Sequence, residues 1–135
     1  NHDYFELKTI TEHHKNGTHS LTVIRGVLYD QSSAKLEGMI KIGPKAFNSN
    51  AFLDQKVLLI GEQAHADVRP GLEIENNEVK ASHTASVGKI DQGQLFYLMS
   101  RGFPQQQAVE ELVKGFFQSL IDKTDNKSLI SEIMS

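Results

Sequence analysis

The chain has 135 residues, which is enough for one domain or for a compact domain with an appendage. Its formal net charge of −3 argues against a nucleic-acid-binding surface, which requires clustered Lys and Arg. It contains no cysteine, so disulfide bonds, thiolate nucleophiles and thiolate metal ligands are excluded. No apolar run approaches the roughly 20 residues that span a bilayer, and no secretory signal opens the chain, so we expect a cytoplasmic protein. A chain that begins with Asn1 rather than Met is either processed or a fragment of a longer protein, and we expect a fragment.

Residues 1–90 consist of short segments with strand-like alternation, separated by turn residues such as Pro70-Gly71 and Asn76-Asn77. Many short strands are typical of a β-sandwich, a barrel or a solenoid, and the absence of a strict sequence repeat leaves that choice open. The predicted strands are Tyr4–Ile10, Ser20–Leu28, Ala34–Ile42, Lys56–Ile60, Ala64–Val68, Leu72–Glu75 and Val79–Val87.

Residues 91–135 change to helical periodicity. Asp91 with Gln94 has the form of a capping box, Gly102 is a plausible C′ residue, and Pro104 is predicted at position N1 of the next helix. This second helix carries Gly115, where we expect close packing. Its apolar stripe packs either within the molecule or against a partner, and both alternatives remain open. The stripe comprises Ala108, Val109, Leu112, Val113, Phe116, Phe117, Leu120 and Ile121, and a further apolar segment comprises Leu129, Ile130, Ile133 and Met134.

A histidine lies in an otherwise apolar row of the last predicted strand. Because strand side chains alternate between faces, the five members of this row point the same way, and we expect His83 to face a core or an interface rather than solvent. It is either a hydrogen-bonded core residue or an imidazole held for metal binding or proton exchange. The row comprises Val79, Ala81, His83, Ala85 and Val87.

Evidence for an enzyme is weak. The chain has no G-x-S-x-G motif, no phosphate-binding glycine loop and no dinucleotide fingerprint, so we predict no catalytic residues. His13, His14 and His19 are the densest group of histidines, but they lack the helical spacing of zinc proteases and converge only if the Asn16-Gly17 turn folds them together. A metal-dependent, cupin-like enzyme that uses these histidines or His65 is the remaining catalytic alternative.

Four motifs carry a resemblance to a known family: VLLIGEQAHADVRP at 57–70, LEI at 72–74, SHTA at 82–85 and FYLMSRG at 96–102. Together they resemble the C-terminal core of the SufB/SufD family, which are scaffold proteins of iron–sulfur cluster assembly. The resemblance covers residues 13–121 and implies a right-handed parallel β-helix over residues 1–90, followed by a small helical bundle over residues 91–135.

The resemblance also implies partners. Two such subunits pair through their β-helices, so we expect a dimer with a SufB-like subunit or with a second copy of this chain. The C-terminal helices of the family bind an ABC-type ATPase, SufC-like, which gives the helical stripe a candidate partner. The expected contact residues are Val109, Leu112, Val113, Phe116, Phe117 and Leu120.

Substitutions within these motifs favour the SufD-like type. SufB-type subunits have a glutamate at the position of Thr84, whereas SufD-type subunits keep the histidine that matches His83. Many SufD members also have a cysteine where this chain has Ala81. Because this chain lacks that thiolate, the resemblance implies that His83 supplies at most one imidazole ligand to a transient iron–sulfur cluster at the subunit interface. We therefore expect a non-catalytic scaffold with no tightly bound cofactor. The alternative is a self-pairing structural β-helix without a cluster site.

Overall fold

The structure is a computed structural model that describes residues 2–122. Its contacts divide the chain into two units, residues 1–88 and 89–135. The first unit contains six strands of ten residues each, arranged in two three-stranded sheets. The strands are β1 (Tyr4–His13), β2 (His19–Leu28), β3 (Ser33–Ile42), β4 (Asn50–Leu59), β5 (His65–Ile74) and β6 (Lys80–Lys89).

Successive strands alternate between the sheets, which have the orders β1-β3-β5 and β2-β4-β6. The pairs β1–β3, β3–β5 and β2–β4 are parallel. Each coil of the chain therefore adds one strand to each sheet, as in a β-helix, and the predicted fold class is confirmed. The distance along the sequence between paired residues varies, because Tyr4 pairs with Ser33, Ser33 with His65 and His19 with Asn50. These steps are 29, 32 and 31 residues, which explains why no strict sequence repeat is visible.

The core of this unit lies between the two sheets. Alternate side chains of β3 and β4 are buried there, and each Leu or Ile removed from water contributes about 1.5–3 kcal/mol. One group of buried residues consists of Ile40, Ile42, Ala46, Ala51 and Leu53. A second group consists of Leu36, Val57, Leu59 and Ala64.

Two strand predictions were wrong. The segments that were predicted as separate strands around Pro70-Gly71 form one strand, β5. Strand β5 tolerates Pro70 because the nitrogen of this residue does not face β3. The N–H groups of His65 and Glu75 bond to carbonyl groups on the β3 side, and successive N–H groups of a strand point in opposite directions. The nitrogen of Pro70 therefore points to the open edge of the sheet. Strand β4 begins at Asn50 rather than at Lys56, and the missed half contains two polar residues that are nevertheless buried, Asp54 and Gln55.

The second unit contains helices α1 (Gln92–Ser100) and α2 (Gln105–Ile121). As predicted, Asp91 caps α1 by accepting a hydrogen bond from the Gln94 backbone N–H at 3.0 Å, and Gly102 follows it with φ +101°. Pro104 is the N-cap of α2 rather than its first residue, which corrects the N1 prediction. No helix within residues 2–122 has the length and apolar character needed to cross a membrane.

The close packing that was predicted at Gly115 is absent, because an added Cβ there would meet no atom of the described residues within 4 Å. Ala108 is fully buried, whereas the remainder of the α2 stripe is only half-buried. The predicted apolar segment over residues 129–134 lies outside the described residues.

Candidate functional site

His83 lies on β6, which is an edge strand of its sheet in the described part of the chain. The start of its row behaves as predicted, since Val79 and Ala81 pack against the first group of core residues. Further along the row, however, Ala85 is exposed and Val87 is 41% exposed. His83 is itself exposed, so the core alternative is wrong for the single chain. The interface alternative stays a prediction.

The opposite face of this sheet carries a buried ion pair that the sequence analysis missed. Arg25 Nη2 of β2 contacts Asp54 Oδ2 of β4 at 2.6 Å, and their side chains are 1% and 5% exposed. Thr84 of β6 donates a hydrogen bond to the other carboxylate oxygen, Asp54 Oδ1, at 3.0 Å. The three residues thus link all strands of the sheet, and Thr84 directly follows His83.

The environment of Asp54 favours its charged form. Burial alone would raise the pKa of this carboxyl, but hydrogen bonds from Arg25 and Thr84, together with the charges of Arg25 and Lys56, lower the pKa to about 2. Asp54 therefore stays ionised at neutral pH and can hold both donors. A glutamate at position 84 would bring a second carboxylate to the same place.

His13 is the one buried histidine of the described residues, and hydroxyl groups satisfy its ring. Nδ1 lies 2.6 Å from Thr18 Oγ1, and Nε2 lies 2.7 Å from Ser20 Oγ. Thr18 donates to the Lys15 carbonyl oxygen at 3.1 Å, so we assign the ring proton to Nδ1, with Ser20 donating to Nε2. Thr18 Oγ1 is also 2.9 Å from Ser49 Oγ. This network joins the last residue of β1 to the start of β2 and to the residue before β4.

The other candidate histidines do not join His13. His14 is exposed and lies 3.3 Å from Glu12, and His19 and His65 are also exposed. Within residues 2–122, no three His, Cys, Asp or Glu side chains are grouped in a way that could hold a metal ion. The turn at Gly17, with φ +69°, brings His13 to Thr18 and Ser20 rather than to the neighbouring histidines.

The predicted partner-binding residues of α2 are all half-buried, and the rings of Phe116 and Phe117 meet edge to face with centroids 5.6 Å apart. Helix α1 also exposes large apolar side chains. Phe96 is 73% exposed and Met99 is 41% exposed. The guanidinium of Arg101 lies 5.9 Å from the centroid of the exposed Tyr97 ring.

Comparison with known proteins decides the family. Residues 1–116 match the family described as SUF system FeS cluster assembly, SufBD core domain. The chain belongs to the SufBD family. The matched range includes all six strands, the strand with His83, and most of α2.

Named SufBD relatives agree with this assignment. The chain is 32% identical to the iron–sulfur cluster assembly protein SufD of Escherichia coli over 130 residues, covering 96% of this chain and 31% of the relative. It is 36% identical to SufD of Bacillus subtilis over 110 residues, covering 82% of this chain and 25% of the relative. A SufBD family protein of Synechocystis is 33% identical over 111 residues, covering 82% of this chain and 23% of the relative. The chain thus spans about a quarter to a third of the length of these relatives.

Proposed function

We propose that this chain is part of a SufD-like, non-catalytic scaffold subunit in iron–sulfur cluster assembly. The family match over residues 1–116 carries this proposal, because it includes the whole strand part together with His83. Two relatives that are called SufD are 32% and 36% identical to the chain. Thr84, which bonds Asp54 where SufB-type subunits have a glutamate, also supports the SufD-like assignment.

The proposed scaffold pairs through its β-helix with a SufB-like subunit or with a second copy. Strand β6 supports this step, because an edge strand offers backbone N–H and C=O groups to another chain. The exposed part of its row, Ala85 and Val87, adds apolar surface that a partner can cover. In such a pair, His83 lies near the shared surface.

His83 then supplies at most one ligand to a transient cluster. A single imidazole is insufficient for an iron–sulfur cluster, which is held mainly by thiolates, and this chain has no cysteine. The partner subunit or a small-molecule thiol therefore provides the remaining ligands. The cluster is cargo of the assembly process rather than a resident cofactor.

We also propose that α2 docks an ABC-type, SufC-like ATPase. The support is a broad apolar stripe that remains half-buried, which leaves area for a partner to cover. The contact residues would be Val109, Leu112, Val113, Phe116, Phe117 and Leu120. ATP-driven movement of the ATPase would reach the scaffold through this helix.

Complementation of a cluster-assembly-deficient strain tests the role of His83. The full-length parent protein is expressed as wild type, as His83→Ala, and as a control variant, His14→Ala, in which another exposed histidine is removed. Loss of rescue in His83→Ala alone, with unchanged protein level and subunit pairing, supports cluster chemistry at His83. Full rescue by His83→Ala contradicts it and favours the self-pairing structural alternative.

Copurification with the ATPase tests the docking step. Phe117→Ala with Leu120→Ala removes apolar area from the stripe, whereas Lys114→Ala changes an exposed residue of the same helix. We expect the double variant to lose the ATPase and the control to retain it, with equal helical content by circular dichroism. Retention of the ATPase by the double variant would contradict docking through α2.

The metal-enzyme alternative gains no support from His13, since hydroxyl groups lie within hydrogen-bond distance of both of its ring nitrogens.

A further inference from the structure

Gln55 is a buried polar side chain within the core of the strand unit. It lies on β4 between the core residues Leu53 and Val57 in the alternation of that strand, and it is 0% exposed. Neither its Oε1 nor its Nε2 atom has a hydrogen-bond partner among the described residues. A buried amide without partners is strongly unfavourable, so such a group in a folded protein requires an explanation.

The surroundings of Gln55 explain its position but supply no partner. A Cβ added to Gly38, on the facing sheet, would lie 3.0 Å from Gln55 Nε2 and 2.7 Å from Leu53 Cδ2. The amide therefore lies directly against the Gly38 backbone, in space that any side chain at that position would occupy. Gly38 is paired with Thr9 of β1, so the Thr9 side chain points to the same interior face one strand away.

We propose that Gln55 binds an ordered water molecule inside the β-helix, which bridges its amide to the Thr9 hydroxyl. Water matches this amide because it donates to Oε1 and accepts from Nε2. The Gln55 amide lies against Gly38 of β3, and Thr9 is paired with Gly38 on the neighbouring strand β1. Neighbouring strands are about 4.8 Å apart, a distance that one water molecule can bridge. Two polar groups facing the same interior space satisfy the need of a buried water for two or more partners.

This site is independent of the proposed cluster chemistry, since it involves neither His83 nor a partner subunit. It assigns a role to the polar position in the core. It also explains why a glycine lies opposite, because the amide and its water need the volume that a side chain at position 38 would fill.

A crystal structure of the full chain at about 1.5 Å resolution tests the proposal directly, together with water-to-amide NMR cross-peaks of the Gln55 side chain. We expect density for one water within hydrogen-bond distance of both Gln55 and Thr9, and water cross-peaks of the Gln55 amide that weaken in Thr9→Val. Density without water, and no cross-peak from the wild-type amide, would overturn the proposal.

A double-mutant cycle gives a second test that does not need crystals. Urea midpoints are measured for Gln55→Met, Thr9→Val and the double variant, with Gln63→Met, which makes the same change at an exposed position, as the control. A bridged pair predicts that the midpoint shift of the double variant departs from the sum of the single shifts. Additive shifts would contradict the bridge, whatever the size of each single effect.

Discussion

Thr84 Oγ1 donates a hydrogen bond to Asp54 Oδ1 at 3.0 Å, and it does so from the residue directly after His83. Asp54 is in turn paired with the buried Arg25. The edge strand β6 is thereby joined to β4, and through Arg25 to β2, by side-chain contacts in addition to the backbone pairing of β6 with β4. We expect this link to hold the backbone of His83 in place.

Replacement of Thr84 tests this link. Thr84→Val removes the donor and should lower the free energy of unfolding by about 1 kcal/mol. Thr84→Glu should cost more, because it brings a second carboxylate to the ionised Asp54. Urea unfolding compares both variants with Ser86→Val, in which an exposed residue on the same face of β6 as Thr84 is replaced. Equal stability of Thr84→Glu and wild type would show that the link is unimportant.

The low pKa of Asp54 predicts acid sensitivity. Its value of about 2 in the folded protein lies below the usual value of 3.8, so its stabilising contribution is complete above about pH 5 and is lost as the pH falls towards 2. The difference corresponds to about 2 kcal/mol. In urea unfolding between pH 2 and pH 5, the free energy of unfolding of the wild type should fall as the pH is lowered. The same plot against pH should have a smaller slope for Asp54→Asn.

Asp67→Asn is the matched comparison for the acid experiment. The half-buried Asp67 pairs with the exposed Arg69, whose hydrogen bond lowers the pKa of Asp67, but solvent screens this pair. We expect its removal to leave most of the pH slope unchanged. If the pH dependence of stability survives in Asp54→Asn and disappears in Asp67→Asn, the acid sensitivity comes from Asp67, and the prediction for Asp54 is contradicted.

His13 should be important for stability rather than for metal binding. His13→Leu removes the ring that bonds Thr18 and Ser20, and leaving the half-buried Ser20 hydroxyl without this partner should cost about 1–3 kcal/mol. Thr18 keeps its bonds to Lys15 and Ser49. The neighbouring His14→Leu affects an exposed side chain and should change stability by less than about 0.5 kcal/mol. Thermal unfolding distinguishes the two variants, and equal stability losses would contradict the buried network.

Gly61 should tolerate no side chain. An added Cβ would lie 2.7 Å from the carbonyl carbon of Asp30 and closer still to its backbone nitrogen and oxygen, so the backbone itself must move. Asp30 has φ +53°, which leaves its turn little freedom to adjust. We expect Gly61→Ala to lose about 1–3 kcal/mol in urea unfolding. Gly88→Ala, where an added Cβ meets nothing within 4 Å, is the control and should unfold like wild type.

Local patterns in the sequence predicted much of this fold. Alternation located β1, β2 and β3 to within a few residues, and the capping and glycine signals located α1. The pattern failed at Pro70-Gly71, where turn residues continue a strand because the proline nitrogen faces an open edge. It also failed at Asp54, because the burial of this carboxylate depends on Arg25 and Thr84 from other strands.

The candidate site was less predictable than the fold. Period two placed His83 in the correct row, but the sequence does not indicate that this row lies on an edge strand. Arg25, Asp54 and Thr84 meet across separations of 29 and 30 residues. Such contacts depend on the length of each coil, and unequal coils give no repeat from which the pairing can be derived.

The six strands have the same length, although the steps between paired residues are 29, 32 and 31. Variation in chain length is therefore confined to the corners of the coil. An insertion at a corner should be well tolerated, whereas the loss of one residue within a strand would turn every later side chain of that strand to the opposite face. In comparisons among relatives, gaps should consequently be placed at the corners, which keeps Asp54 aligned with its partners.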